Sequence, residues 1–253
     1  MTAVTTHFIT GANRGIGFEL VKKYSDEGAK NLIIATARNV EKAVELQALA
    51  DKNKNVQIIQ LDVADSESIA TLDSRVAKIT DGIDVFISNG AIADSFYGVL
   101  EAKKKVWEDH YYTNALGPIL VYQQLHKYLL KRSTRKVIFI STLAASITGF
   151  FPASASAYGQ SKAALNYSVK ELSFELKGDN FIVVAVHPGA VSTDMGNAGL
   201  AIIKKNNPEI SAAIDDMIIT SDVSSAGLKK VFDGLKEEQN GLFLNFDGSE
   251  LPF

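Results

Sequence analysis

Tyr158 and Lys162 lie four residues apart in the stretch AYGQSKAALN, which covers residues 157–166. In a helix, positions i and i+4 share one face, so both side chains can point into one cleft. A free tyrosine titrates near pH ~10, and a nearby cation favours its phenolate. The pair therefore has the groups needed to transfer a proton to or from a substrate oxygen. Because the pattern is short, a solvated helix face with one half-buried aromatic ring is the alternative interpretation.

A glycine-rich loop, TGANRGIGFEL, directly follows the first apolar run. Glycine permits a tight turn and a close approach to phosphate, while a helix N-terminus offers free N–H groups and a positive dipole. The pattern G-x-x-x-G-x-G between a predicted strand and a predicted helix favours a dinucleotide site over a turn that merely needs glycines. The residues expected to bind the cofactor here are Gly11, Asn13, Arg14, Gly15, Ile16 and Gly17.

The end of the second predicted strand indicates which dinucleotide to expect. NAD sites usually place an acidic residue there for the ribose hydroxyls, whereas residues 35–39 of this chain read ATARN. Arg38, with Asn39 beside it, could pair with a 2′-phosphate, and Arg14 is a second candidate. The alternative is that both arginines lie at the surface and bind no ligand. The missing acidic residue and the two arginines together predict NADP(H) as the cofactor.

Composition and charge argue against several other kinds of protein. The net charge is −3 and the pI is near 5.8, whereas nucleic-acid-binding domains are usually basic. Cysteine is absent and the four histidines show no ligand spacing, so no metal is expected. No apolar run reaches the ~18 residues typical of a membrane helix, and no secretory signal is recognisable. These features predict a cytoplasmic protein.

Seven short apolar segments alternate with longer amphipathic ones. The short segments are typical of strands covered on both faces, and they span residues 7–10, 31–37, 56–63, 83–88, 136–142, 181–187 and 241–246. Helices are predicted at 15–27, 39–52, 66–80, 101–131, 157–177 and 222–239. This order predicts an α/β fold: one domain over residues 1–253 with a doubly wound (Rossmann-type), parallel, seven-stranded sheet and helices on both faces. The least regular segment, 192–221, is expected to form a substrate lid.

Taken in order, the motifs of the chain resemble those of the short-chain dehydrogenase/reductase family, and the match runs nearly end to end. They are TGANRGIG (10–17), LDV (61–63), SNGA (88–91), TNALG (113–117), IST (140–142), YGQSK (158–162) and HPGAVST (187–193). Within the family, the short glycine loop and the ending DGSELPF resemble the small carbonyl reductases and fungal ketoreductases.

The resemblance implies roles for individual residues. Tyr158 would protonate the carbonyl oxygen, Lys162 would lower the pKa of the tyrosine and bond the nicotinamide ribose, and Asn114 would hold a water that relays protons to Lys162. Without the resemblance, Asp62 and Asn114 would suggest ordinary capping or buried hydrogen bonding. The implied cofactor contacts are Asp62 and Val63 at the adenine, Asn89 and Gly90 in the cleft, and Pro188, Gly189, Val191 and Thr193 at the nicotinamide.

The chain departs from the family pattern at two places. Residues 88–91 read SNGA where the family usually has N-N-A-G, and this exchange is expected to alter only local backbone freedom. The catalytic serine of the family falls, by register, at Thr142, while residue type favours Ser141. Either hydroxyl could donate to a carbonyl oxygen. The register favours Thr142 slightly, and both residues remain candidates.

These features predict an NADPH-dependent carbonyl reductase that converts a ketone or diketone into an alcohol. One alternative is a catalytically silent NADP-sensing regulatory protein, which would be expected to lose Tyr158 or Lys162. Another is an NAD-dependent alcohol dehydrogenase, against which the missing carboxylate after the second strand argues.

The expected partner is a small carbonyl compound, and neither nucleic acid nor a membrane is expected to bind. For the oligomeric state, a homodimer and a homotetramer are both open. An aromatic pair, Phe150 and Phe151, would suit an aromatic or bulky ketone or would form a buried structural pair. The apolar residues expected on the substrate side are Ile92, Ala93, Leu143, Phe150, Phe151 and Met195.

Overall fold

The computed structural model of the chain describes residues 4–150, 155–206, 208 and 211–253. Its strands are β1 (Thr5–Ile9), β2 (Asn31–Ala37), β3 (Val56–Gln60), β4 (Val85–Ser88), β5 (Lys136–Ile140), β6 (Ile182–His187), β7 (Ala190–Ser192), β8 (Ile218–Thr220), β9 (Phe243–Asn245) and β10 (Glu250–Leu251). Its helices are α1 (Gly15–Ser25), α2 (Val44–Lys52), α3 (Ser66–Ala70), α4 (Leu72–Val76), α5 (Lys104–Tyr111), α6 (Gly117–Leu129), α7 (Ser156–Glu175), α8 (Asp194–Asn206), α9 (Ser211–Met217) and α10 (Ser221–Gly234).

The main sheet has the strand order β10-β9-β6-β5-β4-β1-β2-β3. The seven strands from β9 to β3 run parallel, which confirms the predicted sheet. The two-residue strand β10 adds an antiparallel edge that the sequence analysis did not predict. The strand order reverses direction between β1 and β4, and ligands of such folds bind at the carboxyl ends of the strands beside that point.

Helices cover both faces of the sheet because the strand side chains alternate between two separate cores. Phe8 of β1 lies in one core with residues of α3, α4, α6 and α7, and the next residue, Ile9, lies in the other with residues of α1, α2 and α10. This alternation explains why the strands read as almost continuous apolar runs. The predicted doubly wound architecture is therefore confirmed.

The predicted helix at 101–131 is interrupted in the structure. Helix α5 ends at Tyr111, a π-helical turn follows over Tyr112–Leu116, and α6 begins at Gly117. Pro118 lacks the N–H group that would bond to the carbonyl of Asn114 in an α-helix. The N–H of Gly117 instead donates to the carbonyl of Tyr112, five residues back, as in a π turn. The interruption places Asn114 within irregular helix, a frequent feature of functional sites.

Several predicted boundaries also differ. The predicted helix at 66–80 divides into α3 and α4, and β3 and β5 end earlier than expected, at Gln60 and Ile140. The segment 192–221, expected to be the least regular, instead contains α8 and α9. Its last strand, β8, pairs with β7 in a separate two-stranded sheet. No helix among the described residues is long and apolar enough to cross a membrane.

Candidate active site

Helix α7 carries Tyr158 and Lys162 one turn apart, as the spacing predicts. The backbone N–H of Tyr158 donates to the hydroxyl oxygen of Ser95 at 2.8 Å, which attaches the first turn of α7 to the loop after β4. The Lys162 side chain is buried, with 3% exposure, and its Nζ donates to the carbonyl of Ile140 at 2.7 Å. The end of β5 and the start of α7 are thus held together through the lysine.

Burial changes the proton affinity of both groups. It raises the pKa of Tyr158 to about 12, and the hydrogen bond with the Thr142 side chain opposes part of that increase. Burial also lowers the pKa of Lys162 to about 7. The direction for Tyr158 is opposite to the one expected from a neighbouring cation, because burial of the phenol disfavours its charged form. Tyr158 is therefore protonated at neutral pH.

The two hydroxyl residues after β5 point to different partners. The Thr142 side chain lies beside that of Tyr158, where it lowers the pKa of the phenol, and its hydroxyl accepts the N–H of Ala144 at 3.3 Å. Ser141 is buried, and its hydroxyl donates to Oδ1 of Asn166 at 2.6 Å. Since the Ser141 hydroxyl is used inside the protein, the geometry favours Thr142 as the group beside a substrate oxygen.

Asn114 is fully buried, and its side chain is bound to the loop after β4. Its Oδ1 accepts the N–H of Ile92 at 2.9 Å, while its Nδ2 donates to the Ile92 carbonyl at 2.9 Å and to the Ser161 hydroxyl at 3.0 Å. The Ser161 hydroxyl in turn donates to the carbonyl of Tyr158 at 2.8 Å. Asn114 thus supports the backbone at Tyr158, and the expected water relay to Lys162 stays a prediction.

The glycine loop lies between β1 and α1, close to the loop after β4. Gly11 has φ +62°, a conformation that favours glycine, and a Cβ there would lie 2.7 Å from the Cα of Gly90. The Asn89 Nδ2 donates to the carbonyls of Thr10 and Gly11 at 3.1 and 3.0 Å. A Cβ on Gly90 would meet the loop at an ordinary 3.5 Å. The exchanged Gly-Ala order at 90–91 therefore puts no strain on the loop.

The N-terminus of α1 has the features that an anionic ligand requires. Its cap residue, Arg14, makes no side-chain hydrogen bond to the first turn, so these N–H groups are not capped by that side chain. The predicted residues Asn13, Gly15, Ile16 and Gly17 occupy the same turn. The loop and helix end therefore fit a pyrophosphate group.

The two candidate arginines are both exposed, but only Arg14 has an ion-pair partner among the described residues. Its Nη1 lies 3.2 Å from Oδ2 of Asp194, the first residue of α8. Arg38 and Asn39 directly follow β2 at the surface, and Asn39 Oδ1 accepts the N–H of Lys42 at 3.0 Å. The Arg38 guanidinium is thus available to an anionic group at the carboxyl end of β2.

Asp62 and Val63 follow β3 at the same edge of the sheet. The Asp62 carboxylate accepts the N–H of Ala64 at 3.0 Å, and the Asp62 N–H donates to the Ser68 hydroxyl at 3.0 Å. The backbone of Val63 packs closely against Gly117. The contacts of Asp62 are those of the ordinary capping role that was the alternative for this residue. The adenine contacts implied for Asp62 and Val63 stay a prediction.

A cavity of about 260 Å³ brings most of the nicotinamide-side and catalytic predictions together. Tyr158, Ser141 and Thr142 line one side, and Ile16 of the glycine loop lies at another. The segment after β6 contributes Pro188, Gly189, Val191 and Thr193. Residues of α8 and α9 complete the wall. The remaining cofactor predictions lie outside this cavity, along the glycine loop and after β2, β3 and β4.

The predicted substrate wall is only partly correct. Ala93, Leu143 and Met195 line the cavity, but Ile92 does not. Phe150 is 73% exposed and does not line the cavity either, and Phe151 lies outside the described residues. Ile92 is absent from the wall because its backbone is used to bind Asn114.

Five residues near Tyr158 were not predicted from the sequence. Ser95 and Ser161 bond its backbone, and the ring centroid of Phe96 lies 6.3 Å from that of Tyr158. The buried His110 ring is edge-on to Tyr158 at 6.4 Å, and its Nε2 lies 3.1 Å from Oδ1 of Asp94. His187 lines the cavity, where burial lowers its pKa to about 4. Ser161 and His187 lie within the motifs YGQSK and HPGAVST, but the resemblance assigns them no role. Ser95, Phe96 and His110 lie outside the motifs and reach Tyr158 only through tertiary packing.

Known proteins resemble this chain in sequence and in fold. Residues 5–201 match the model of the short chain dehydrogenase family. An uncharacterized oxidoreductase of Saccharomyces cerevisiae is 50% identical over 253 residues, covering 98% of this chain and 97% of the relative. Carbonyl reductase Sniffer of D. melanogaster superposes with a TM-score of 0.88 at 28% identity, covering 99% of this chain and 100% of that one. An NADPH-bound carbonyl reductase from chicken fatty liver gives 0.86 at 30% identity, covering 99% of both chains.

Proposed function

The chain belongs to the short-chain dehydrogenase family and is an oxidoreductase, and we propose that it is an NADPH-dependent carbonyl reductase with Tyr158 as proton donor. The placement of Tyr158 and Thr142 together at the wall of a largely apolar cavity, where the Thr142 side chain lowers the pKa of the phenol, carries this proposal. Two hydroxyls that converge there can hold a carbonyl oxygen. The segment 192–221, whose helices supply the opposite wall, is the proposed substrate lid.

The proposed reaction assigns a separate task to each side chain. The glycine loop and residues 188–193 would hold a reduced nicotinamide cofactor, which would supply the hydride for the carbonyl carbon. Tyr158 gives its phenolic proton to the carbonyl oxygen as negative charge develops, and the Thr142 hydroxyl donates a hydrogen bond to the same oxygen. Lys162 holds the end of β5 against α7 through Ile140. The product is an alcohol, and the tyrosine must then regain a proton.

The protonation state of Tyr158 fits the proposed role of proton donor. With a pKa of about 12, the phenol carries its proton at neutral pH and can act as an acid. Oxidation of an alcohol would require the phenolate as a base, which is scarce at that pH.

The preference for NADPH is supported by the residues after β2. No carboxylate follows that strand at positions 38 and 39, and the exposed Arg38 can pair with a 2′-phosphate. Arg14 is the second candidate, although its guanidinium lies beside the Asp194 carboxylate. The NADPH-bound structure from chicken fatty liver is similar to this chain over 99% of its length, which is consistent with the same cofactor.

The proposal is tested by following the loss of NADPH absorbance with a panel of ketones, aldehydes and diketones, beside an NADH control. Tyr158→Phe removes only the hydroxyl and should lower kcat by roughly 10²–10⁴-fold, while NADPH binding measured by fluorescence stays near the wild-type value. NADPH binding with no turnover of any carbonyl compound would favour the NADP-sensing regulator. A Tyr158→Phe variant with more than about a tenth of wild-type turnover would require a different acid.

A further inference from the structure

The cavity beside Tyr158 has a polar end and an apolar remainder. Its polar side chains are those of Ser141, Thr142, Tyr158, His187 and Thr193. The remainder of the wall is formed by the side chains of Phe96, Leu143, Met195, Leu200, Ile214 and Met217. These residues come from three separate segments, so the apolar character of the wall is a property of the assembled site.

None of the side chains that line this cavity in the described part of the chain is Asp, Glu, Lys or Arg. Arg14 and Lys162 are not among the lining residues: Arg14 contacts Asp194, and Lys162 donates to the Ile140 carbonyl. A carboxylate or phosphate placed among the apolar side chains would lose its hydration without gaining a partner. Such a transfer costs several kcal/mol. The wall therefore discriminates against anionic substrates.

The Phe96 ring has a fixed position at this wall. It packs between Tyr158 and α8, where a Cβ on Gly199 would clash with the ring. Glycine at position 199 thus lets α8 approach the ring closely. Met195 and Met217 are unbranched and can adapt to ligands of different outline. A flat apolar group can lie along the Phe96 ring, with its carbonyl oxygen toward Tyr158 and Thr142.

We infer that the substrates of this chain are uncharged carbonyl compounds with a flat, apolar body about the size of one aromatic ring. The inference rests on the proposed carbonyl reductase activity and adds the class of substrate to it. The cavity has a volume of about 260 Å³, and the nicotinamide-side residues Pro188, Gly189 and Val191 enclose part of it. Sugars, acyl phosphates and keto acids are outside the inferred class.

A pair of ketones matched in size tests the role of charge. We expect kcat/KM for para-methylacetophenone to exceed that for para-acetylbenzoate by roughly 100-fold or more, because only the second carries a carboxylate that the wall cannot solvate. Both reactions are followed as NADPH consumption by the intact chain. Equal values, or a preference for the carboxylate, would overturn the inference.

A charge introduced into the wall should reverse this preference. Leu200→Arg places a guanidinium in the cavity, and the ratio of the two kcat/KM values should fall by roughly tenfold or more. Ile202→Arg is the matched control, since Ile202 lies on the same helix, is 37% exposed and does not line the cavity. The ratio for this control should remain as in the wild type. If Leu200→Arg does not fold, Met217→Lys is used, because Met217 lines the cavity but is already 57% exposed.

The outcomes separate this inference from the function on which it rests. An unchanged ratio in the folded cavity variant would show that the wall does not contact the substrate body, and it would overturn the inference. Reduction of small diketones alone would also overturn it while leaving a carbonyl reductase in place. Failure of every carbonyl compound would overturn the proposed function, and the substrate class with it.

Discussion

The wild type should lose stability as the pH falls because Lys162 is buried, and replacement of Lys162 by Met should remove this loss. The lysine is 3% exposed, and burial lowers its pKa from 10.5 to about 7. Between these two values the unfolded chain binds more protons at this position than the folded chain does. Stability therefore rises with pH across that interval and falls as pH decreases from 10.5 to about 7.

The magnitude follows from linkage. A difference of one pKa unit corresponds to about 1.4 kcal/mol, so the buried lysine costs roughly 4 kcal/mol near pH 7 and roughly 1 kcal/mol near pH 10. The free energy of unfolding of the wild type, measured relative to Lys162→Met, should therefore increase by roughly 3 kcal/mol between about pH 7 and about pH 10. The loss of the hydrogen bond to Ile140 is present at both pH values and cancels in this comparison.

Urea unfolding followed by the fluorescence of Trp107, the one tryptophan of the chain, measures these free energies. Lys170→Met is the matched control, because Lys170 lies on the same helix with an exposed side chain, and its loss removes one positive charge without affecting a buried one. Parallel pH profiles of the wild type and Lys162→Met would refute the reasoning, since they would show that the buried amine has the same proton affinity as in the unfolded chain.

Four other substitutions test the site and the fold. Thr142→Val keeps the shape of the side chain and should lower kcat by roughly 10²–10³-fold with NADPH saturating. Ser141→Ala should lower kcat less. If Ser141→Ala lowers kcat more, the hydrogen bond to the substrate belongs to Ser141. Arg38→Asp should shift the ratio of kcat/KM for NADPH over NADH toward NADH, and an unchanged ratio would indicate that Arg14 reads the 2′-phosphate instead. Burial lowers the pKa of His7 to about 4, so between about pH 6.5 and pH 4 the unfolded chain binds more protons at this position than the folded chain does. As the pH falls over that range, the wild type should lose roughly 3 kcal/mol more stability than His7→Gln does. Equal losses in acid urea unfolding would exclude His7 as the cause.

The fold could be predicted from the sequence because the pattern of each strand and each helix lies within a short segment of the chain. The strand segments are continuous apolar runs, and in the structure their alternate residues, such as Phe8 and Ile9, fill two different cores. A chain that alternates such runs with helices has few ways to bury both faces of a sheet. The seven parallel strands were therefore predictable, while β10, at two residues, is too short to produce a pattern.

The break in the helix at 101–131 was also present in the sequence, although the helical pattern concealed it. Pro118 cannot donate the bond that an α-helix needs at Asn114, and the chain forms a π turn at Tyr112–Leu116. The irregularity expected for residues 192–221 was wrong for a related reason. Glycine and asparagine weaken a helix on average, but packing of Gly199 against Phe96 stabilises α8 in a way that composition does not reveal.

The sequence by itself determined which residues could do chemistry, because the spacing of Tyr158 and Lys162 and the glycine loop are local patterns. Only the tertiary structure decided how they are used. Thr142 reaches Tyr158 while Ser141 bonds to Asn166, 25 residues away, and Ser95 supports Tyr158 from 63 residues away. The direction of the Tyr158 pKa is also a tertiary property, since it comes from burial of the phenol by the groups packed around it. Contacts between distant segments form only when the sheet has assembled, and no local pattern records them.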